Sequence, residues 1–505
     1  MTARAIMVLG TTSGAGKSWL ATALCRWYAR RGLRVAPFKA QNMSNNARVV
    51  PGPGGRMGEI GSAQYFQALA ARAAPEVRHN PVLLKPEHDT ASQVVVLGEV
   101  NRELAAVPWR ERSEALWPHA RQALAGLLAE NDVVVIEGAG SPAEINLHAS
   151  DYVNMRCALA ADAACLLVTD IDRGGAFAHL YGTWALLPPP EASLIRGFVL
   201  NRFRGDAALL APGPEQLRTL TGVPTVATLP MWREHGLPEE DGVYDGDVGP
   251  LGAVVGEEGG PPLRVALVAW PRISNLDEFQ PLRHQPGVRL TWARQPADLD
   301  GADWVILPGS KHTSADLAWL RAQRLDAAIA AHAARGGALL GICGGLQVLG
   351  ETLTDPDGVE ASQAAPFGGD GPGLGLLPLV TRFERDKRVA PVSARFGPLE
   401  GAWAALSGVA FDGYEIHQGR TVFHPSLAPC AEVLRNPAGE VLGWQQGNVL
   451  GLYAHGLFES PAVLQALLGH PGRTLDQVFD GLADFIDRHF EPGALEGLLR
   501  PAVSR

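Results

Sequence analysis

Short, continuous apolar runs that end in glycine-rich turns recur along both halves of this 505-residue chain, and nothing else constrains its fold as much. In the first half they cover residues 5–9, 34–38, 133–136, 164–169 and 195–200, with helical stretches at 18–31 and 113–130. In the second half they cover 264–269, 288–293, 304–307 and 338–342, with a helix expected through 315–335. A strand that is apolar at nearly every residue is buried on both faces, and alternating helices supply the cover. The expected fold class is therefore α/β, with two doubly wound domains built on parallel sheets. Ligands of such sheets gather at the carboxyl ends of the strands, so the chemistry is sought in those turns.

The stretch 236–262 holds Glu239, Glu240, Asp241, Asp245, Asp247, Glu257 and Glu258 and has no lysine or arginine. It repels itself and cannot bury a core, so it reads as a linker between a domain at 1–235 and another at 263–460. A second loop-like stretch is expected at 355–373. The remaining 461–505 is amphipathic and helical, and is expected to pack on the second domain. With 46% hydrophobic residues the chain folds, and the 58 glycines and 38 prolines point to many turns. A net charge of −10 argues against a nucleic-acid coat. No apolar run approaches the roughly 20 residues of a membrane span. Residues 1–10 run straight into a glycine loop and read as a first strand rather than a leader. Five cysteines without a Cys-x-x-Cys pair indicate a reducing, cytoplasmic setting and no structural zinc.

The first site follows the first strand. Residues 10–18 read GTTSGAGKS and open a helix, where consecutive backbone N–H groups and the helix terminus can cradle phosphate. Thr12, Gly14, Gly16, Lys17 and Ser18 are the expected nucleotide-binding residues; Lys17 would reach the terminal phosphates and Ser18 would ligate Mg²⁺. The spacing departs from Gly-x4-Gly-Lys-Ser, because Thr11 stands at the first position and Gly10 lies one residue early. Magnesium needs further hard oxygen ligands, and Glu137 at the end of VVVIE, with Glu59, would provide them. Lys39, Asp170, Asp172 and Arg173 lie in loops after strands and are further candidates. Arg202 and Arg204, with Arg173, could meet carboxylates or simply face solvent.

The second site is Cys343, directly after strand 338–342 and before GGLQVLG. Strand, cysteine, two glycines and helix form the geometry of a nucleophile elbow. Cys25, Cys157, Cys165 and Cys430 read as core. A thiol nucleophile needs an imidazole, and His455 in LGLYAHGLF is best placed, with His417 in GYEIHQG as runner-up. A neutral imidazole near working pH is expected of such a base, so activity should fall on acidification through the mid-range. Pro308, Gly309 and Ser310 could lend N–H groups to an oxyanion site.

A nucleotide site and a thiol site on one chain suggest a glutamine-dependent amide ligase. In addition, GTTSGAGKS, FKAQNMSNN, EIGSAQYFQA, NPVLLKP, EGAGSPAEINL, TDIDRGGAFA, NRFRGD, LPGSKHTSADL, GICGGLQVLG, GYEIHQG and YAHGLF occur in that order. Over nearly its whole length the chain resembles the cobyric acid synthase (CobQ-type) family of the cobalamin pathway, within the CobB/CobQ glutamine amidotransferases. The resemblance implies a dethiobiotin synthetase-like first domain, which accommodates the variant loop spacing, and a class I glutaminase-like second domain. It implies Cys343 as nucleophile, His455 as base, ATP and Mg²⁺ as cofactors, and L-glutamine as nitrogen donor. The acceptor would be a corrinoid small molecule, adenosylcobyrinic acid a,c-diamide, amidated at its b, d, e and g carboxylates. Class I enzymes follow their histidine with Pro-Glu, whereas His455 is followed by Gly456 and Leu457. The family resemblance implies a Cys–His pair without that acid, and the spacing of Glu459 does not make it the orienting group. Rival readings are a related ligase with another acceptor, such as the a,c-diamide-forming relative or a cell-wall amidating ligase, and a partitioning-type ATPase whose glutaminase half is inert.

Overall fold

The apolar runs resolve into two separate sheets in the computed structural model, which describes residues 3–88, 91–238, 261–360 and 369–500. The chain divides into two units. One comprises Met1–Ser44, Val50–Leu237 and Leu475–Arg505, and the other Asn45–Val49 and Pro238–Thr474.

In the first unit six strands form one sheet: β1 (Arg4–Gly10), β2 (Val35–Phe38), β3 (Val133–Glu137), β4 (Ala164–Asp170), β5 (Ile195–Phe203) and β6 (Thr225–Pro230). Their order is β6-β5-β4-β1-β3-β2, and every pairing is parallel. The winding reverses beside β1, so the turn after β1 opens into the crevice where such sheets bind ligands. Helix α1 (Lys17–Ala29) leaves that turn and covers one face through Leu20 and Leu24. Leu116, Leu124 and Leu180 cover the other.

The second unit has a parallel core of β7 (Leu263–Val268), β8 (Val288–Ala293), β9 (Trp304–Leu307), β10 (Ala338–Ile342) and β11 (Val449–Leu452), in the order β8-β7-β9-β10-β11. Beyond β11 this sheet departs from the purely parallel expectation. It continues antiparallel through Val441–Gln446 and Ala431–Arg435 to a long ribbon of Leu379–Phe396 and Ala410–Phe423. Those strands alternate buried and exposed residues, the pattern of a sheet with one wet face, and a search for continuous apolar runs passes over them. The helix expected through 315–335 is two helices, Thr313–Ala322 and Leu325–Ala334, broken where Arg324 turns left-handed at φ 60°. Of the expected linker, residues 239–260 lie outside the described residues, as do residues 361–368 of the loop-like stretch.

The expected packing of the tail is corrected beyond its first helix. Helix Pro461–Leu468 belongs to the second unit, and its Val463 and Leu464 join that unit's core. The helix Leu475–His489 instead packs on α1 in the first unit. Its apolar face brings Phe479, Leu482 and Ile486 into the same core as Leu20 and Leu24. Its acidic face meets arginines: Arg26 bonds Asp476 at 2.9 Å and Asp480 at 2.8 Å, and Arg30 bonds Asp484 at 2.6 Å. Amphipathic spacing reveals that a helix has an apolar face but not which partner covers it.

Candidate functional site

The glycine loop after β1 is fixed by its neighbours before any ligand arrives. Thr11 N donates to Val168 O at 2.9 Å, and Thr11 Oγ1 to Thr169 Oγ1 at 2.9 Å. Asn201, on β5, donates from Nδ2 to Ala15 O at 2.9 Å. Gly16 sits at φ 102°, and a Cβ there would lie 2.1 Å from Asn201 Nδ2, so both its conformation and its surroundings demand glycine. Lys17 Nζ lies inside the loop, 3.0 Å from Thr12 O and 3.0 Å from Gly140 O.

Glu137 is the hub of this site. It lies fully buried at the end of β3, with Ser18 Oγ donating to its Oε1 at 2.7 Å and Lys39 Nζ at 2.8 Å. Gln67 Nε2 donates to Oε2 at 2.6 Å, and Gln64 Nε2 at 3.3 Å. Burial alone would raise this carboxyl, but the Lys39 ammonium and the ring of donors outweigh it and hold Glu137 below the ordinary carboxylate range. Ser18 and Glu137 therefore offer adjacent hard oxygens, a donor set that suits Mg²⁺ shared with phosphate.

The other expected residues do not join Glu137. Glu59 is buried in an ion pair with Lys85. Asp170 pairs with Arg202 at 2.9 Å and with Arg173 at 3.4 Å, and Asp172 pairs with Arg204. Among the described residues no three His, Cys, Asp or Glu side chains are grouped so as to hold a metal alone.

In the second unit the turn after β10 puts Cys343 at φ 52°, ψ −105°, a strained conformation for a residue with a Cβ. The next residues, Gly344 and Gly345, have no room for side chains. A Cβ at Gly345 would lie 2.0 Å from Leu307 O, and one at Gly344 would lie 2.7 Å from Ser310 N. Cys343 is 4% exposed, with Sγ 3.6 Å from Ile416 O. The expected oxyanion segment does come close: a Cβ at Gly309 would lie 2.9 Å from His455 Cε1.

His455 follows β11 and is completely buried. Its Nδ1 lies 2.9 Å from Glu278 Oε1, and Gly456 N donates to Glu278 Oε2 at 2.9 Å. Among the described residues Nε2 makes no hydrogen bond of good geometry, and the Cys343 thiol acts on the ring both through its charge and as a side-chain hydrogen-bond partner. Burial would lower the imidazole, but Glu278 and Cys343 together raise it to about 10. The shift runs against the expected neutral imidazole: Glu278 and Cys343 favour the charged ring. The runner-up, His417, is occupied elsewhere: Nε2 is 3.0 Å from Glu415 Oε1 and Nδ1 is 2.8 Å from Gly419 O.

Comparison with known proteins adds the family. Residues 6–238 match the CobQ/CobB/MinD/ParA nucleotide binding domain, and residues 264–463 match the CobB/CobQ-like glutamine amidotransferase domain. The chain is 74% identical over 506 residues to a cobyric acid synthase of Leptothrix cholodnii, covering 99% of this chain and 98% of that one. It is 71% identical to one of Methylibium petroleiphilum, with 99% and 97% covered, and 68% identical to one of Variovorax paradoxus, with 99% and 100% covered. The chain belongs to the cobyric acid synthase family. It is accordingly a glutamine amidotransferase ligase, with a nucleotide-binding half and an amidotransferase half.

Membership in that family sharpens what sequence reasoning missed. The Pro-Glu acid of class I enzymes is absent after His455, and the sequence leaves open whether another acid orients the ring; in the structure Glu278, 177 residues before His455, lies 2.9 Å from its Nδ1. It lies in a single 3-10 turn, Leu276–Phe279, and no motif marks it. Gln67 and Asn201 were also missed, although each falls inside a block (EIGSAQYFQA, NRFRGD) that carried the resemblance. Among the described residues no helix is long and apolar enough to cross a membrane.

Proposed function

We propose that this chain converts adenosylcobyrinic acid a,c-diamide into adenosylcobyric acid by amidating the b, d, e and g carboxylates, with glutamine as nitrogen donor and ATP as activator. The acceptor rests on full-length identity to relatives named cobyric acid synthase. The nitrogen-donating half rests on one observation: buried His455 commits Nδ1 to Glu278 and leaves Nε2 open beside the Cys343 thiol.

In this reading the Cys343 thiolate attacks the side-chain amide carbon of glutamine. N–H groups of the Gly309–Ser310 segment stabilise the oxyanion, and His455 Nε2 gives its proton to the departing ammonia. His455 then takes a proton from water, which cleaves the thioester and releases glutamate. Glu278 keeps the proton on Nδ1, fixing the tautomer and stabilising the charged ring without itself being protonated. In the nucleotide half, the acceptor carboxylate takes the terminal phosphoryl group of ATP, and ammonia displaces phosphate from the acyl-phosphate. The loop N–H groups and Lys17 hold the phosphates, while Ser18 and Glu137 would hold Mg²⁺, whose charge offsets that of the phosphates. Lys39 keeps Glu137 ionised for that purpose.

The test is an acceptor screen in which mass spectrometry counts the amides added. Four additions to the a,c-diamide, from glutamine and ATP, are the expected result. Two additions only, at a and c of a corrinoid that still carries those carboxylates, or turnover of a cell-wall precursor alone, would replace the acceptor. No glutamate release with ATP and acceptor both present would remove the glutaminase and favour a binding protein.

A further inference from the structure

The thiol site is braced by a guanidinium that comes from a distant part of the sequence. Residues Asn45–Val49 belong to the same unit as Cys343 and His455. Two asparagines secure them: Ala47 N donates to Asn275 Oδ1 at 3.0 Å, and Leu276 N donates to Asn46 Oδ1 at 2.8 Å. Asn275 holds a left-handed φ of 55°, which asparagine tolerates better than most residues. These bonds deliver Arg48, whose side chain is 2% exposed.

Arg48 grips three residues at once. Nη1 donates to Tyr414 Oη at 2.8 Å, while Nη2 pairs with Asp277 and, at 2.6 Å, with Glu459. Each of the three adjoins the proposed catalytic machinery. Asp277 immediately precedes Glu278. The Tyr414 ring stacks on His455, with centroids 5.2 Å apart and planes 18° from parallel, and His455 N donates to Tyr414 O at 2.9 Å. Glu459 N donates to Gly456 O at 3.0 Å, closing the turn after His455. Burial raises the carboxyls of Asp277 and Glu459 above their ordinary range, and the charge of Arg48 opposes that in both. The guanidinium is the cation those two carboxylates share. Its planar fork can serve an acid and a phenol in fixed directions together, which a lysine ammonium cannot do.

We propose that Arg48 is a positioning residue of the glutaminase: by clamping Asp277, Tyr414 and Glu459 it holds Glu278 and the Tyr414 ring against His455, and so aligns His455 with Cys343. This rests on the assignment of Cys343 and His455 as the glutaminase pair. Arg48 acts through Asp277, Tyr414 and Glu459, so its effect is on alignment and not on the chemistry itself. A displacement of about 1 Å in such a constellation can cost roughly 10²-fold in rate.

The test uses the full chain and compares glutamine-driven with ammonia-driven amidation in Cys343→Ser, Arg48→Met, Arg48→Lys and Tyr414→Phe. Arg48→Met is expected to lower kcat with glutamine by about 10²-fold with KM little changed, while the ammonia-driven rate persists. Arg48→Lys should restore part of that loss, and Tyr414→Phe, which keeps the ring but not its hydroxyl, should show a smaller one. A parental kcat with glutamine in Arg48→Met overturns the proposal, as does a fall of both rates in parallel. Should Arg48→Met fail to fold, parental kcat in both Arg48→Lys and Tyr414→Phe overturns it. Cys343→Ser separates the two levels: if it keeps glutamine turnover the glutaminase assignment fails, whereas an inactive Cys343→Ser beside a parental Arg48→Met sinks the positioning role alone.

Discussion

Glu137 in the first unit and Glu278 in the second are both buried carboxylates set beside a cation, yet they serve opposite ends. At Glu137 the cation serves the acid: Lys39 keeps the carboxylate ionised so that it can offer oxygen next to Ser18. At Glu278 the acid serves the cation: in the proposed mechanism the carboxylate, 2.9 Å from His455 Nδ1, favours the charged ring, and the other nitrogen serves the thiol. The lesson is that the same ion-pair geometry can prepare a ligand or prepare a proton donor. Which one it does depends on the member left with an open valence.

The comparison breaks most visibly at the thiol. Cys343→Ala should abolish amidation from glutamine while leaving amidation from free ammonia, read as amides added per acceptor. Glu137→Gln should do the reverse of selective loss, removing amidation from either nitrogen source. It also removes the carboxylate paired with the buried Lys39 ammonium, and breaking a buried pair from one side typically costs about 3–5 kcal/mol, read by denaturant unfolding. Glu278→Gln should lower kcat with glutamine by roughly 10²- to 10⁴-fold, since the imidazole loses both tautomer control and charge stabilisation. A change of less than a few-fold would reduce Glu278 to a packing residue.

The pH dependence sharpens the same contrast. His455 must carry a proton to expel ammonia, and its affinity for that proton is raised from 6.5 to about 10. Glutamine hydrolysis should therefore fall on the alkaline side only near about 10. In Glu278→Gln that limb should move down, because burial, which disfavours the charged ring, is then opposed by the thiol alone. An unmoved limb would assign the titration to another group. The smallest effect is expected far from both sites: Arg30→Ala, which breaks an exposed pair with Asp484, should change unfolding free energy by no more than about 1 kcal/mol.

Much of this was readable in the chain because the chemistry follows strands. GTTSGAGKS after β1, Glu137 at the end of β3, Cys343 after β10 and His455 after β11 each stand where a parallel sheet presents its ligand edge. Lys39 is readable for the same reason, lying one residue past β2. Glu278 breaks the rule. It sits in a short turn without periodicity, and only tertiary folding brings it to a histidine 177 positions away. Glu59 fails in the opposite sense: it is an acid in a glycine-rich block, but its partner is Lys85. Neighbouring sequence cannot disclose which cation a buried acid will find. The tail fails for a related reason, since the acidic residues that match Arg26 and Arg30 look like ordinary solvated charges until α1 is seen beside them.

The boundaries between the two units carry a practical consequence. The polypeptide crosses from one to the other after Ser44, Val49, Leu237 and Thr474. A single cut in the acidic stretch would strip the amidotransferase piece of five residues, Arg48 among them, and leave the nucleotide-binding piece without its terminal helix. Anyone wishing to swap halves between members of this family must therefore graft three separate tracts for the nucleotide-binding half or two for the amidotransferase half, because the modules are interleaved along the thread rather than strung one after the other.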